Sequence, residues 1–228
     1  MQLFSQNISN ILESFILSDK QLIEIINNFT DELISGIYRS ESINSLKLFP
    51  TFITDLPTGN ECGYYLAIDL GGTNFRVLLI HLTGNSQSFV TNRIYSLSQV
   101  LMNGAGEELF NYIAKCVYEV VVDNNLLNKH LRLGFTFSFP CNQTSISNAT
   151  LNEWTKGFSA SNVVGNDVGQ LLSCSLSYYK DVNIEVVAIV NDTAGTLVSC
   201  AYQNQDCRIG VIVGELNLLN IFSFCFFC

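Results

Sequence analysis

The sequence predicts an α/β fold: a mixed sheet with helices on its faces. Three observations predict it. Strand-length apolar runs and stretches of helical period follow one another in the order β-β-β-α-β-α-β between residues 64 and 201. The first two strands flank Gly71-Gly72, the punctuation of a hairpin. Hydrophobic residues make up 48% of 228 residues, with a mean hydropathy of +0.28, so material for a core is ample. The length suits one large domain or two small ones.

Each element has its own justification. Residues 18–37 place Leu22, Ile23, Ile26, Phe29, Leu33, Ile34 and Ile37 at helical spacing, with Ser18 or Asp19 able to cap the start. A polar segment runs to Lys47, residues 48–52 form an extended apolar piece, and residues 56–60 read as a turn. Strands are expected at 64–69, 75–82 and 89–97, a helix at 107–122, and a strand at 133–139. A loop with Trp154 precedes a helix at 163–177. The continuous apolar run at 184–190 reads as a buried strand, a helix opens at Asp192 and runs to Ala201, and a last strand spans 209–213. The organisation is therefore an N-terminal helical segment over 1–60, an α/β domain over 61–214, and an atypical tail over 215–228.

Composition excludes several classes. A net charge of −9 argues against a nucleic-acid partner, because phosphate backbones demand Lys and Arg. It leaves room for a nucleotide held by a local site. Charged residues are only 14%, well below the roughly 25% of ordinary soluble domains, so some surface expects a cover. The eight cysteines show no zinc spacing; the single C-x-x-C, Cys225 to Cys228, has no second pair, and there are two histidines. The start lacks a basic region followed by a long apolar run, so no secretory signal is expected, and no apolar run is long enough to span a bilayer. The expected setting is the cytoplasm, with reduced thiols and no glycosylation at Asn148; attachment to a mitochondrial surface stays open.

Four blocks carry chemistry. The first runs from Leu66 through Asp69, Gly71, Gly72, Thr73, Asn74 and Arg76 to Ile80. Glycines let a backbone turn sharply and approach a ligand, successive N–H groups form an anion-binding concavity, and Arg76 can pair with phosphate. Asp69 can face Mg²⁺ through water, since that ion keeps much of its hydration shell. An ordinary hairpin explains the glycines alone, but not Asp, Thr and Arg around them. In the second block a strand delivers Ser138 to its end, before Phe139 and Pro140. The third is Trp154, Thr155, Lys156, Gly157 and Phe158, a polar loop in which a solvated lysine beside a buried tryptophan is the plain alternative. In the fourth, Asn191, Asp192, Thr193, Ala194 and Gly195 stand where a strand gives way to a helix; Asp192 is either an N-cap or a carboxylate at the mouth of the sheet.

In this order the four blocks resemble the eukaryotic hexokinase family, over the chain up to about Gly214. The resemblance implies a ribonuclease-H-like fold of the actin and sugar-kinase group, with the second lobe largely missing. It implies ATP-dependent phosphorylation of a hexose, glucose first, at the 6-hydroxyl, the opening step of glycolysis. Mg-ATP is the co-substrate, with Asp69, Gly71, Gly72, Thr73, Asn74 and Arg76 on its phosphates and no direct metal ligand. Ser138, Pro140, Thr155, Lys156, Asn191 and Asp192 fall on the sugar. Asp192 is the general base and Lys156 the catalytic cation, consistent with phosphoryl transfer being mainly positioning and charge stabilisation. Closure of two lobes around the sugar is expected to exclude water.

The tail departs from that pattern. Members of the family continue after a strand like residues 210–214 with a second phosphate loop containing Thr-Gly, then two sugar-binding glutamates and an adenosine pocket. Residues 215–228 resemble none of these, and read as translated intron, a frameshift or a shortened isoform, with a real C-terminal strand docking on the core as the alternative. The expectations that follow are a poor catalyst and self-association through uncovered apolar surface. Two alternatives to the kinase stand beside it: a catalytically impaired truncated sugar-binding remnant or gene-model fragment, and an ATPase of the same fold with no sugar.

Overall fold

The structure is a computed structural model that describes Leu12 and residues 15–38, 51–213 and 218–221. The polar segment up to Lys47, the start of the extended piece at 48–50, most of the tail, and the Cys225–Cys228 motif lie outside the described residues. The chain divides into two units, one up to Pro50 and one from Thr51 onward. The second unit thus begins ten residues before the expected boundary at 60, because its first turn is tied to the sheet: Ser86 N–H donates to Gly59 O at 2.8 Å.

The described part of the first unit is a helix, α1 (Asp19–Tyr38). Ser18 caps it. The Ser18 hydroxyl and N–H both donate to Gln21 Oε1, at 2.8 and 2.9 Å, while Gln21 N–H reaches back to Ser18 Oγ at 3.4 Å. This is the reciprocal capping box of a Ser-x-x-Gln start.

In the second unit, β1 (Cys62–Leu70), β2 (Asn74–Gly84) and β3 (Gln87–Ser96) form an antiparallel meander. Two helices follow, α2 (Gln99–Asn103) and α3 (Gly106–Asp123), then β4 (His130–Phe137), which returns parallel to β1. A small antiparallel pair, β5 (Cys141–Gln143) with β6 (Ala149–Leu151), precedes α4 (Val168–Leu176). Then β7 (Asn183–Val190) joins parallel to β4, and α5 (Asp192–Gln203) leaves its end. The five-stranded sheet has the order β3-β2-β1-β4-β7. A separate two-stranded sheet pairs β8 (Ile209–Ile212) with β9 (Leu218–Ile221), so the tail contributes a strand, the alternative reading of that segment.

Strand alternation sorts the sheet into two faces. Leu66, Ile68 and Leu70 of β1 stand beside Leu79, Val77 and Phe75 of β2 and Leu133, Phe135 and Phe137 of β4, all buried. The buried stripe of α3, including Leu109, Phe110, Ile113 and Val117, belongs to the same core, as does Leu172 of α4. The opposite face carries Asp69 and Thr136, and α5 lies there: a methyl group on Gly195 would sit 3.7 Å from Thr136 Oγ1.

Several elements differ from expectation for local reasons. The helix predicted at 163–177 starts only at Val168, because Gly165 has φ +81° and Asp167 caps the helix through Gly169 N and Gln170 N. The strand predicted at 133–139 begins and ends earlier, at His130–Phe137. Phe52, expected to be extended, has φ 56°. The helix α2 and the pair β5–β6 were not anticipated; each is too short to show a period.

Candidate active site

The C-terminal ends of three parallel strands form one rim. Asp69 of β1 is in register with Thr136 of β4, and Thr136 with Val190 of β7. Neighbouring strands lie about 4.8 Å apart, so β1 and β7 bracket a rim about 10 Å wide. Three of the four blocks leave this rim: the hairpin after Asp69, Ser138 just past β4, and Asn191–Asp192 just past β7. Strand ends of open α/β sheets are where ligands bind.

The hairpin is built as expected, with one correction. Asp69 and Arg76 are register partners, and Arg76 Nη1 donates to Asp69 Oδ2 at 3.2 Å. Both side chains are more than a third exposed, so the pair contributes orientation more than stability. Asn74 Oδ1 accepts from the Ser96 hydroxyl at 2.9 Å, and Thr73 O accepts from Leu97 N–H at 2.8 Å, which ties the turn to the end of β3. Gly71 and Gly72 do not occupy the left-handed region, so the sharp turn does not itself demand glycine. Nor does space demand it: a methyl on Gly71 would make ordinary contacts, 3.7 Å from Lys156 Nζ and 3.8 Å from Ser138 Cβ, and one on Gly72 would project into the open.

Those contacts bring the first three blocks together. Ser138 N–H donates to Leu70 O at 3.3 Å, extending the parallel pairing past β4. Lys156 stands exposed at φ 55°, followed by Gly157 at φ 80°, and Phe158 N–H closes the turn on Thr155 O at 3.1 Å. Two successive positive-φ residues make this a type I′ turn. Lys156 Nζ lies 5.6 Å from the centre of the Phe139 ring, within cation–π range. Behind it Phe139, Trp154 and Phe158 pack edge-to-face and stacked, with centroids 4.9 to 5.2 Å apart, and Trp154 Nε1–H donates to Ala160 O at 2.8 Å. The tryptophan is therefore the anchor of a loop that presents the lysine. Pro140 is exposed, and its carbonyl accepts from Asn152 N–H at 2.9 Å, closing the base of the β5–β6 excursion.

At the fourth block the helix cap falls to the residue before Asp192. Asn191 is the N-cap, its Oδ1 accepting from Ala194 N–H at 2.8 Å. Asp192 is the first helical residue; its Oδ1 accepts from Thr193 N–H at 2.8 Å, and the helix N-terminus favours its negative charge. The cap leaves Asn191 Nδ2 as its donor toward a ligand and Asp192 Oδ2 as an acceptor on the rim. Among the described residues, no hydrogen bond or ion pair joins Asp192 to Asp69 or Lys156.

One residue of the site was not foreseen. Gln143 Nε2–H donates to Ile189 O at 2.8 Å, and Ile189 N–H donates to Ile146 O at 2.7 Å. Ile189 lies on β7, the edge strand, two residues before Asn191. The β5–β6 excursion thus fixes the strand end that aims Asp192. Nothing in the sequence near Gln143 signals this, because its partner is 46 residues away.

Among the described residues, no three or more His, Cys, Asp or Glu side chains form an ion cage, and no helix is long and apolar enough to cross a membrane.

Comparison with known proteins agrees with this architecture. A family model described as hexokinase matches residues 7–202. The chain is 43% identical over 215 residues to the hexokinase of Schistosoma mansoni, covering 93% of this chain and 47% of that protein. It is 42% identical over 212 residues to hexokinase-2 of Rattus norvegicus, covering 92% of this chain and 23% of that protein. Among solved structures it is similar to the Schistosoma mansoni hexokinase complexed with glucose, with TM-score 0.76, 41% identity, and coverage of 96% of this chain and 49% of that one. A second hexokinase crystal structure matches with TM-score 0.85 at 34% identity, covering 96% and 53%. The chain thus spans between about a quarter and half the length of these relatives.

Proposed function

Because the chain belongs to the hexokinase family, we propose that its rim binds a hexose and the phosphates of ATP, and serves transfer of the γ-phosphoryl group to the sugar 6-hydroxyl. Glucose is the favoured hexose, since the similar Schistosoma structure is a glucose complex. The observation that carries the reading is that Lys156 Nζ and Ser138 Oγ both lie within 4 Å of the point a methyl on Gly71 would occupy, at the ends of β1 and β4 and beside the end of β7 that leads to Asp192.

Each residue has a role that its position permits. Asp192 takes the proton from the attacking hydroxyl. Asn191 Nδ2, Ser138 and Thr155 hydrogen-bond neighbouring hydroxyls. Lys156 sets a positive charge beside the developing phosphoryl charge, and the Gly71–Asn74 backbone with Arg76 receives phosphate oxygens. Magnesium bound to ATP neutralises phosphate charge, and Asp69 meets its water shell. Electrostatic stabilisation and positioning are the main demands of phosphoryl transfer, and this set meets them.

The test is glucose binding by calorimetry together with glucose 6-phosphate formation from glucose and Mg-ATP, in this chain and in Asp192→Ala. The expected result is glucose-dependent transfer that falls at least about a hundredfold on removing the base, with glucose affinity held within a few-fold. Binding without any transfer would instead favour the sugar-binding remnant. Absence of both would remove the sugar from the proposal altogether.

A further inference from the structure

The rim carries a hydroxyl that the phosphoryl-transfer reading does not use. Arg76 of β2, Asp69 of β1, Thr136 of β4 and Val190 of β7 are in register across four neighbouring strands. Register partners put their side chains on one face of a sheet, so Thr136 stands directly beside the Asp69 carboxylate. Among the described residues, that carboxylate has Arg76 as its hydrogen-bond partner at Oδ2, which leaves Oδ1 free. Thr136 is half-buried, yet its hydroxyl has no partner among the described residues, and its oxygen is not sealed from solvent. The first turn of α5 passes above it without a side chain. A methyl on Gly195 would lie 3.7 Å from Thr136 Oγ1 and would touch no other side chain of the sheet, so glycine leaves that space open. A β-branched residue suits a strand, but valine would suit it equally. What threonine adds here is an unpartnered oxygen between Asp69 and the helix that begins at Asp192.

We propose that Thr136 is a second acceptor beside Asp69, and that the two together hold one water of the hydration shell of nucleotide-bound magnesium. The inference rests on the phosphate reading of the rim and adds a residue to it. Magnesium is a hard cation that gives up its waters reluctantly, so a protein meets it through oxygen acceptors for those waters. A water bound to the cation is polarised into a strong donor with two hydrogens, and it needs two acceptors. The free Asp69 oxygen takes one and the Thr136 hydroxyl oxygen takes the other. The spacing suits a single water. Neighbouring strands lie about 4.8 Å apart, and a water donating two hydrogen bonds of about 2.8 Å spans about 4.5 Å between its acceptors. The hydroxyl keeps its own proton as a donor toward a phosphate oxygen. Arg76, on the far side of Asp69, holds the carboxylate in place for this pairing.

The experiment is calorimetric titration of ADP into the whole chain, with and without magnesium, for the parent, Thr136→Val and Thr136→Ser. Magnesium is expected to tighten ADP binding in the parent. Thr136→Val should weaken Mg-ADP binding about tenfold, the effect of losing a hydrogen bond to a charged group. It should leave metal-free ADP binding unchanged. Thr136→Ser should restore Mg-ADP affinity to within a few-fold of the parent. The thermal unfolding midpoint of Thr136→Val should match the parent's, because no protein partner is lost. A threonine with a merely structural role would instead lower that midpoint and leave the magnesium dependence untouched. Thr136→Ala carries the same comparison if the valine variant fails to fold. Equal Mg-ADP affinity in parent and variant, or a weakening that is just as large without magnesium, overturns the proposal and leaves the phosphate reading standing. A parent that binds no ADP in the presence of magnesium overturns the phosphate reading and this proposal with it.

Discussion

Lys156 carries its ammonium on a backbone that L-residues seldom adopt, φ 55°, and Gly157 follows at φ 80°. A left-handed residue with a side chain costs roughly 1–2 kcal/mol, so the turn persists only because the Phe139–Trp154–Phe158 cluster holds both of its ends. The sequence displayed Lys156-Gly157 as a pair, and glycine after lysine was readable as a loop. That both residues take positive φ, and that the tryptophan anchors rather than binds, depends on packing that no local pattern encodes. Gly157→Ala should destabilise the unit by about 1 kcal/mol in urea denaturation, within the range for alanine forced to positive φ. The same change should lower phosphoryl transfer more than glucose affinity, because it displaces the cation and leaves the hydroxyl partners in place. Equal stability of variant and parent would mean that the turn relaxes freely.

At the scale of elements, the start of α5 shows how a cap residue sets the place of its neighbour. The sequence offered Asp192 as the N-cap or as a carboxylate at the mouth of the sheet, although Asn191 is an equally good cap residue one position earlier. The geometry gives the cap to Asn191 and frees an oxygen of Asp192 for the rim. Asn191→Ala should cost about 0.5–2 kcal/mol of stability, the range for a lost cap. Asn191→Asp restores a side-chain acceptor for Ala194 N–H and should recover most of that stability, as thermal unfolding of the two variants will show; failure of the rescue would place the effect of Asn191 elsewhere than in the cap. The long strands β1, β2 and β4 and the helix α3 were legible because burial of one face imposes a period on the sequence; β7 was found as an apolar run, but it is an edge strand with only Ile189 buried and not the buried strand expected. The three-residue strands β5 and β6 were not, since they are fixed by pairing with each other and by Gln143 reaching Ile189, contacts set by tertiary structure. The start of α4 was misplaced for a similar reason: the apolar period runs through Val163 and Val164, but Gly165 and the Asp167 cap stop the helix from extending back.

At the scale of the whole second unit, the sheet is unequally covered. Its first face packs on α3 and α4, whereas α5 covers the other face over β4, beside Thr136. Toward β3 that second face carries Val90 and Ile94, which are 53% and 63% exposed, beside the half-buried Ile80 and Leu78. β3 is also an edge strand of ten residues, with a row of backbone donors and acceptors that have no strand beyond them in this sheet. Natural sheets blunt such edges with charges or bulges; here Arg93 is the one charged side chain on the strand. Exposed apolar side chains on a long edge, in a chain of low charge content, predict self-association. Sedimentation velocity should show a mass that rises with concentration and with salt, because salt screens the net charge of −9 that otherwise holds copies apart. Val90→Lys with Ile94→Glu places opposite charges on that face of the strand and should return the chain to monomer, while leaving the buried face of the sheet intact. A monomer at every concentration would show that the edge is already protected, and persistent association of the double variant would move the contact to another surface, with the exposed Ile209 and Val211 of β8 next to be tested.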